Sequence, residues 1–350
     1  LVISIFILGL TSIIAMYSTD GGELKYHTKS HILRFFVFFI MFLLLSFIQI
    51  RFWHSQSYLI YILFFILLLG VKYFGLTSSG SKRWLDLYFM NLQPSELMKV
   101  GLILFLAKYY HRTSIENLNR IRYLFLPVVV LIAPIILVAT QPDLGTALLI
   151  AAGGLTVAWL AGVRVKFFAF SGLAFLALLP IAISFLKPYQ KSRILTFLNP
   201  ERDPLGAGYQ IIQSKIAIGS GGLFGKGFGE GTQANLYFLP ESETDFIFAV
   251  IGEEFGLFGI SILMLTYFFI FFRCIYLAIT ARDRFCRLVI GSLSLVFIST
   301  FVINVGMVIG ILPVVGMPLP FISQGGSSII SFYIAFGIIV SMASHKKLIP

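Results

Sequence analysis

Apolar runs of about twenty residues recur along the whole chain, separated by short polar breaks, and one break alone is long. A run of that length crosses roughly 30 Å of hydrocarbon as an α-helix. Ten spans are predicted on this basis, at 1–19, 31–50, 57–76, 94–110, 124–140, 145–161, 167–186, 246–272, 287–312 and 321–343. The expected fold is all-α: a polytopic integral membrane helical bundle of about ten transmembrane helices, a single domain over 1–350. The long break, 187–245, joins spans seven and eight, and loops of that length are usually functional. Within it, Ile211–Ile218 has the pattern of a short amphipathic helix at the interface, with Gln213, Ser214 and Lys215 interrupting its apolar positions. Gly219–Gly231 follows, with seven glycines in thirteen residues, a run that permits positive φ and close backbone approach.

Composition agrees with the pattern. The chain is 58% hydrophobic and only 12% charged, with 37 Phe and a mean hydropathy of +0.94, values of an integral membrane protein. No cleavable signal is visible, and Leu1 already lies in an apolar run, so the natural N-terminus is expected upstream. With both termini inside, Arg51, Lys108, Arg112, Arg120, Arg122, Arg164, Lys166, Arg273, Arg282, Arg284, Arg287, Lys346 and Lys347 fall on the cytoplasmic side. Lysine and arginine favour that side, so the 187–245 loop is expected outside. The net charge of +11 is then mainly a topology signal, and no basic stretch interleaved with aromatics points to nucleic acid. The acids are biased the other way: of fifteen, Glu116 and Asp283 alone fall in inner loops, which places the polar chemistry near the outer face. Cys274 and Cys286 both fall on the reducing side, so no disulfide is expected, and two cysteines do not make a metal site.

Several polar groups stand where lipid packing does not require them. Asp245 sits where the long polar loop meets the apolar helix of span eight; it either caps that helix or does chemistry, and capping does not require a loop carrying Arg193, Arg202, Lys215 and Lys226. Glu96 and Lys99 share one face of span four near its outer end, as a structural ion pair or as the lining of an outward cavity. Asp143, in the tight outer link between spans five and six, either caps span six or points into the same cavity. Glu253 and Glu254 lie about two turns below Asp245, and roughly 80° of rotation lets Glu253 share a groove with it, the alternative being an inter-helix hydrogen bond. Asn304 and the glycines and prolines from Gly306 to Pro320 mark a broken, close-packed region. Ser323–Ser328, Ser327 among them, open span ten with outward N–H groups able to seat a phosphate or sugar. Gly225-Lys226 resembles the end of a Walker motif, but Gly221 is one position too close and Gly227 replaces the required Ser or Thr. A backbone cradle for another phosphate and a merely tight-turned loop both stay open there.

Read together, Arg83-Trp84, Gln93–Lys99, Gln141–Gly145, the stretch from Asn199 to Gln233, Pro240–Phe248 and Pro318–Ser328 closely resemble the SEDS family, the RodA, FtsW and SpoVE proteins of bacterial cell-wall synthesis. Several separate motifs occur in the same order over about 80–345, and Gly208–Ser214 and Gly306–Pro318 resemble the RodA, elongation branch. The resemblance implies a peptidoglycan glycosyltransferase of the bacterial cytoplasmic (inner) membrane, active on its extracytoplasmic face, that polymerises lipid II into β-1,4 glycan strands. Inverting transfer from a diphosphate donor needs a base for the acceptor hydroxyl and cations for the leaving group. The resemblance makes Asp245 the base. Lys99, Arg193, Lys215 and Arg83 become candidates for the diphosphate, with or without a divalent cation (Mg or Mn), although no dedicated metal cage is readable. Glu96, Asp143 and Glu253 would tune or position the site. Lipid II, the nascent strand, membrane lipid and a class B penicillin-binding protein are the implied partners. A flippase for lipid-linked precursors and a non-catalytic scaffold are the rivals. A carrier should line its path from both faces, whereas these ionisable groups cluster on one, and a scaffold does not explain the outward acids.

Overall fold

The computed structural model describes residues 1–344 except 79–80, 87–90, 115, 119, 185–187, 200–202, 204–205 and 237, so Arg202, Lys346 and Lys347 lie outside the described residues. Ten long helices occupy the predicted spans. They are α1 (Val2–Thr19), α2 (Tyr26–Ser46), α3 (Ile50–Phe74), α4 (Pro94–Arg112), α5 (Ile121–Thr140), α6 (Leu144–Ala161), α7 (Val165–Ser184), α11 (Ile247–Thr280), α12 (Arg284–Val308) and α13 (Gly326–Ser344). Three shorter helices, α8 (Pro188–Leu198), α9 (Ala207–Ser220) and α10 (Thr232–Asn235), structure the long loop. The chain is a multi-pass membrane protein, with eight of the ten long helices apolar enough to cross by length and composition alone.

Some boundaries differ from the sequence expectation, for physical reasons. α3 starts at Ile50, so Arg51 lies in its first turn, and α11 runs on to Thr280, so Arg273 is helical and not in a loop. A long basic side chain near a helix end can carry its charge to the interface while its stem stays among apolar groups. Span ten starts later than expected, at Gly326, because residues 309–325 are taken up by an irregular segment rich in Gly and Pro. Between α3 and α4 a small antiparallel sheet forms from β1 (Leu76–Ser78), β2 (Ser81–Asp86) and β3 (Asn91–Leu92), in the order β1-β2-β3. Its strands are too short and too polar to have shown as an alternating pattern.

The described residues group into two compact units. Unit one comprises Leu1–Phe42, Ser192–Arg273 and Phe297–Tyr333. Its core is aromatic: Tyr267 stacks on Phe301 with ring centroids 4.2 Å apart and on Phe297 at 5.5 Å. The Tyr267 hydroxyl, which cannot be left unpaired in an apolar interior, donates to the Pro320 carbonyl. Unit two comprises Leu43–Lys191, Cys274–Val296 and Ile334–Pro350. Here α4 is almost wholly buried, and Gly153 and Gly154 let α6 come close: a Cβ on Gly154 would overlap the Leu131 side chain, and one on Gly153 would press on Ile103 at 3.3 Å. Where α4 and α6 end, Arg284 donates to the carbonyls of Thr113 and Ala161, both at 3.1 Å, satisfying acceptors that helix ends leave open.

Candidate functional site

In unit one a turn over 239–246 delivers Asp245 just ahead of the first residue of α11. Three consecutive carbonyls of this turn are held by donors from the other segments of the unit. Gln324 N–H donates to Glu243 O at 2.8 Å, Ser323 Oγ donates to Thr244 O, and Asn304 Nδ2 donates to Asp245 O at 2.9 Å. Ser323 Oγ also accepts from Leu319 N at 2.7 Å, and the same Asn304 amide donates to Met317 O at 2.7 Å. The backbone of Asp245 is thereby fixed while its carboxylate, which makes no hydrogen bond among the described residues, is left free for other work. It does not cap α11, so the capping alternative falls away. Asn304, Ser323 and Gln324 read in the sequence as packing and anion-seating residues; their signal was a polar group in an apolar setting, with nothing to say which carbonyls it would meet.

Asp245 is half-buried, with its surroundings close on most sides. Loss of hydration, reinforced by the charge of Glu241 and opposed by Arg193, pushes its carboxyl from 3.8 up to about 7. Glu243 is also raised, first by burial, with His27 pulling the other way. Gly316, at φ 72, presents bare backbone to the site: a Cβ there would stand 3.5 Å from Asp245 Oδ2. Arg193, on α8, reaches the same segment and donates to Val314 O at 3.3 Å. Lys215, on the exposed side of α9, lies over Gly310, where a Cβ would meet its Cε and Nζ. The face of α9 that carries Ile211, Ser214 and Ala217 is buried, with Ser214 Oγ donating to Val308 O at 2.8 Å, so this helix packs against the end of α12. Asp245, Arg193, Lys215 and the 309–320 segment thus belong to one neighbourhood.

Glu253 belongs to another. Its side chain is wholly buried and accepts from Lys226 Nζ at 2.6 Å, Thr232 N at 3.0 Å, Thr232 Oγ1 at 2.9 Å and Gln233 N at 3.1 Å. Glu254 accepts from Ser18 of α1. Gly256 has φ 64 and ψ −162 and breaks α11, and the glycine run fills the gap. Lys226 N and Gly227 N donate to the carbonyls of Glu253 and Glu254 at 3.0 and 3.1 Å, while Leu257 N and Phe258 N donate to Gly222 O and Leu223 O at 2.9 and 3.0 Å. The amides of Lys226 and Gly227 are therefore spent on protein carbonyls and do not face a ligand. Ser327 is buried in the first turn of α13.

Unit two gathers the remaining predicted residues. Lys99 Nζ lies 2.8 Å from Glu96 Oε2, both buried near the N-terminal end of α4. Asp143 Oδ1 accepts from Thr146 N at 3.1 Å, capping α6, and its Oδ2 accepts from Gln93 Nε2 at 2.6 Å. Arg83, from β2, donates through Nε to Gln141 O at 3.0 Å and through its other arm to Pro142 O, so it braces the same turn. Among the described residues no group of three His, Cys, Asp or Glu side chains is arranged to hold a metal ion. Glu241 is the acid whose charge acts on Asp245, opposed by the positive charge of Arg193.

The family model for cell cycle proteins of the FtsW, RodA and SpoVE type matches residues 1–348. The peptidoglycan glycosyltransferase MrdB of Escherichia coli (strain K12) is 45% identical over 295 residues, 83% of this chain and 78% of that one. A chain of a solved peptidoglycan synthase complex that coordinates polymerization and crosslinking superposes with a TM-score of 0.81 at 29% identity, covering 99% of this chain and 97% of its own. The crystal structure of the rod shape determining protein RodA of Thermus thermophilus gives 0.75 at 25%, covering 99% and 96%. With this motif order, a ten-helix bundle and these likenesses, the chain belongs to the SEDS family, the FtsW/RodA/SpoVE cell cycle proteins, on its RodA branch.

Proposed function

We propose that this chain is a peptidoglycan glycosyltransferase of the bacterial inner membrane that polymerises lipid II on the extracytoplasmic face during cell elongation, with Asp245 as the general base. The observation that carries the assignment of Asp245 is a turn held through the carbonyls of Glu243, Thr244 and Asp245, on which the Asp245 carboxylate is free of side-chain partners among the described residues and raised to about 7. A base works best when its pKa lies near the working pH. Asp245 takes the proton of the acceptor 4-hydroxyl as that oxygen attacks the anomeric carbon of the donor. The bond to the diphosphate breaks on the opposite side, and the configuration inverts. Arg193 and Lys215 supply positive charge in the neighbourhood, suited to the charge that develops on the leaving diphosphate. Lys99, Glu96, Arg83 and Asp143 within unit two, and Ser327 within unit one, are further candidates for substrate contact, and Glu253 positions the loop. The relatives' names support the activity, and the synthase complex's coordination of polymerization and crosslinking supports a crosslinking partner, for which we propose a class B penicillin-binding protein.

The deciding experiment is gel analysis of purified lipid II incubated with reconstituted chain, with a lipid II transport assay alongside. Polymer from the native chain and none from Asp245→Asn is the expected outcome. Full polymerisation by Asp245→Asn ends the role given to that residue, and transport without polymer moves the chain to the flippase class.

A further inference from the structure

Two independent rulers give the depth of the glycine-rich loop. The first is the end of α1, where an apolar helix gives way after Thr19 to the polar turn Asp20-Gly21-Gly22-Glu23, so its last turn marks the outer boundary. That turn touches the loop region: Ser18 donates to Glu254, and Tyr17 stacks on Phe228 with ring centroids 6.2 Å apart. The second ruler is α11 itself. From Ile247 to Gly256 it is enclosed by protein, whereas from Leu257 on, exposed apolar side chains recur down to its end, as on a helix facing lipid. The change falls at the Gly256 break, and the two rulers agree to within a turn.

The loop is bonded to α11 at that level, since Leu257 N and Phe258 N donate to Gly222 O and Leu223 O. Its tip there is apolar and uncovered: Leu223 is 64% exposed and Phe224 80%, beside Leu257 and Phe258 at 55% and 62%. Irregular backbone is tolerated beside hydrocarbon only when its polar groups are satisfied within the protein, and the break in α11 supplies partners for the loop's carbonyls. An aromatic and a leucine in this place match the side chains enriched at membrane interfaces.

We infer that Leu223 and Phe224 are an interfacial anchor, seated among the outer-leaflet acyl chains of ordinary bilayer lipid and continuous with the lipid-facing surface of α11. The anchor ties the loop bonded to Glu253 to the plane of the membrane. It thereby sets the height of the Asp245 turn relative to that plane.

The test uses the full chain with Cys274 and Cys286 replaced by Ser and a single spin label at Phe224→Cys, reconstituted into phosphatidylethanolamine/phosphatidylglycerol vesicles that hold no polyprenyl lipid. Leu223→Cys is the second variant, Leu257→Cys the lipid reference and Glu23→Cys, an exposed acid beyond the end of α1, the aqueous one. Oxygen, which concentrates in lipid, and a water-soluble nickel chelate are the relaxing agents. The expected result is an oxygen-to-nickel accessibility ratio at 224 and 223 severalfold above that at 23 and close to that at 257. A ratio equal to that at 23 places the tip in water and overturns the inference. Poor access for both agents places it against protein and overturns it equally. Low oxygen access that rises only when a polyprenyl diphosphate lipid is added assigns the tip to the donor's tail instead of the bilayer, and also counts against it.

Discussion

Asp245 carries opposite consequences for activity and stability, and both follow from its raised carboxyl. Its ordinary value of 3.8 applies to the unfolded chain, and about 7 to the folded one. Between the two the folded protein binds the extra proton, so stability declines as pH rises through that window and levels off above it. Asn has the shape of the protonated acid and no charge to desolvate. Asp245→Asn is therefore expected to melt near the native temperature at about pH 4 and above it at about pH 8, while polymerisation is lost at both. A variant less stable at the higher pH contradicts this picture of the site. The neighbours give a paired prediction of opposite sign. Arg193→Gln removes the charge that holds the Asp245 carboxyl down, so the acid limb of the pH–activity profile moves to higher pH. Glu241→Gln removes the charge that pushes it up, and the limb moves lower. Shifts in one direction for both variants would show that neither charge acts through Asp245.

At the scale of elements, the break in α11 and the glycine run are one device. Gly256 adopts φ 64, and a Cβ there would stand 2.8 Å from Leu223 O while overlapping Gly225 N; a Cβ on Gly225 would overlap the Glu254 carbonyl. Gly256→Ala is accordingly expected to spring the loop, read as new proteolytic cuts within 219–233 and loss of activity with α11 still helical. Glu253→Ala leaves the amides of Thr232 and Gln233 and the Lys226 ammonium without their acceptor, and removing one member of a buried pair costs about 3–5 kcal/mol. Lys226 is part-exposed and regains water, which puts the expected loss toward the lower end of that range, measured by denaturant unfolding in detergent. This device also marks where sequence reading stops. The glycines announced a tight path, but the partners that complete it are carbonyls thirty residues away, and backbone groups leave no trace in residue identity. Asp143 shows the same limit: its place before Gly145 and Thr146 allowed a cap or a cavity, and the Gln93 contact that accompanies the cap comes from another element. Asp245 was legible because a carboxylate at a membrane boundary is costly and so stands out by residue type alone.

At the scale of the molecule, the spans were legible because hydrocarbon imposes a length and an apolar composition on every crossing, whichever neighbours a helix has. The two units were not, since each is assembled from three or more segments far apart in the chain. What links sequence to the whole is charge. The turns closing α2–α3, α4–α5, α6–α7 and α11–α12 carry or adjoin Arg51, Arg112, Arg120, Arg164, Lys166 and Arg282, whereas the α1–α2 and α5–α6 turns hold Asp20, Glu23 and Asp143 with Lys25 as their one cation. Basic residues in short loops stay on the cytoplasmic side, and acids contribute little to that choice. Asp245 follows α7, an odd-numbered crossing, so the orientation we propose, with Arg164 inside, puts its turn outside, where a lipid-linked donor displayed on the outer leaflet could reach it. In a chain with Cys274 and Cys286 replaced by Ser, a membrane-impermeant maleimide applied to intact cells is expected to label Glu23→Cys and Glu241→Cys, but to label Arg164→Cys and Ser114→Cys only after permeabilisation. Labelling of the second pair in intact cells would invert the bundle, put the Asp245 turn in the cytoplasm, and leave polymerisation at the outer surface without its base.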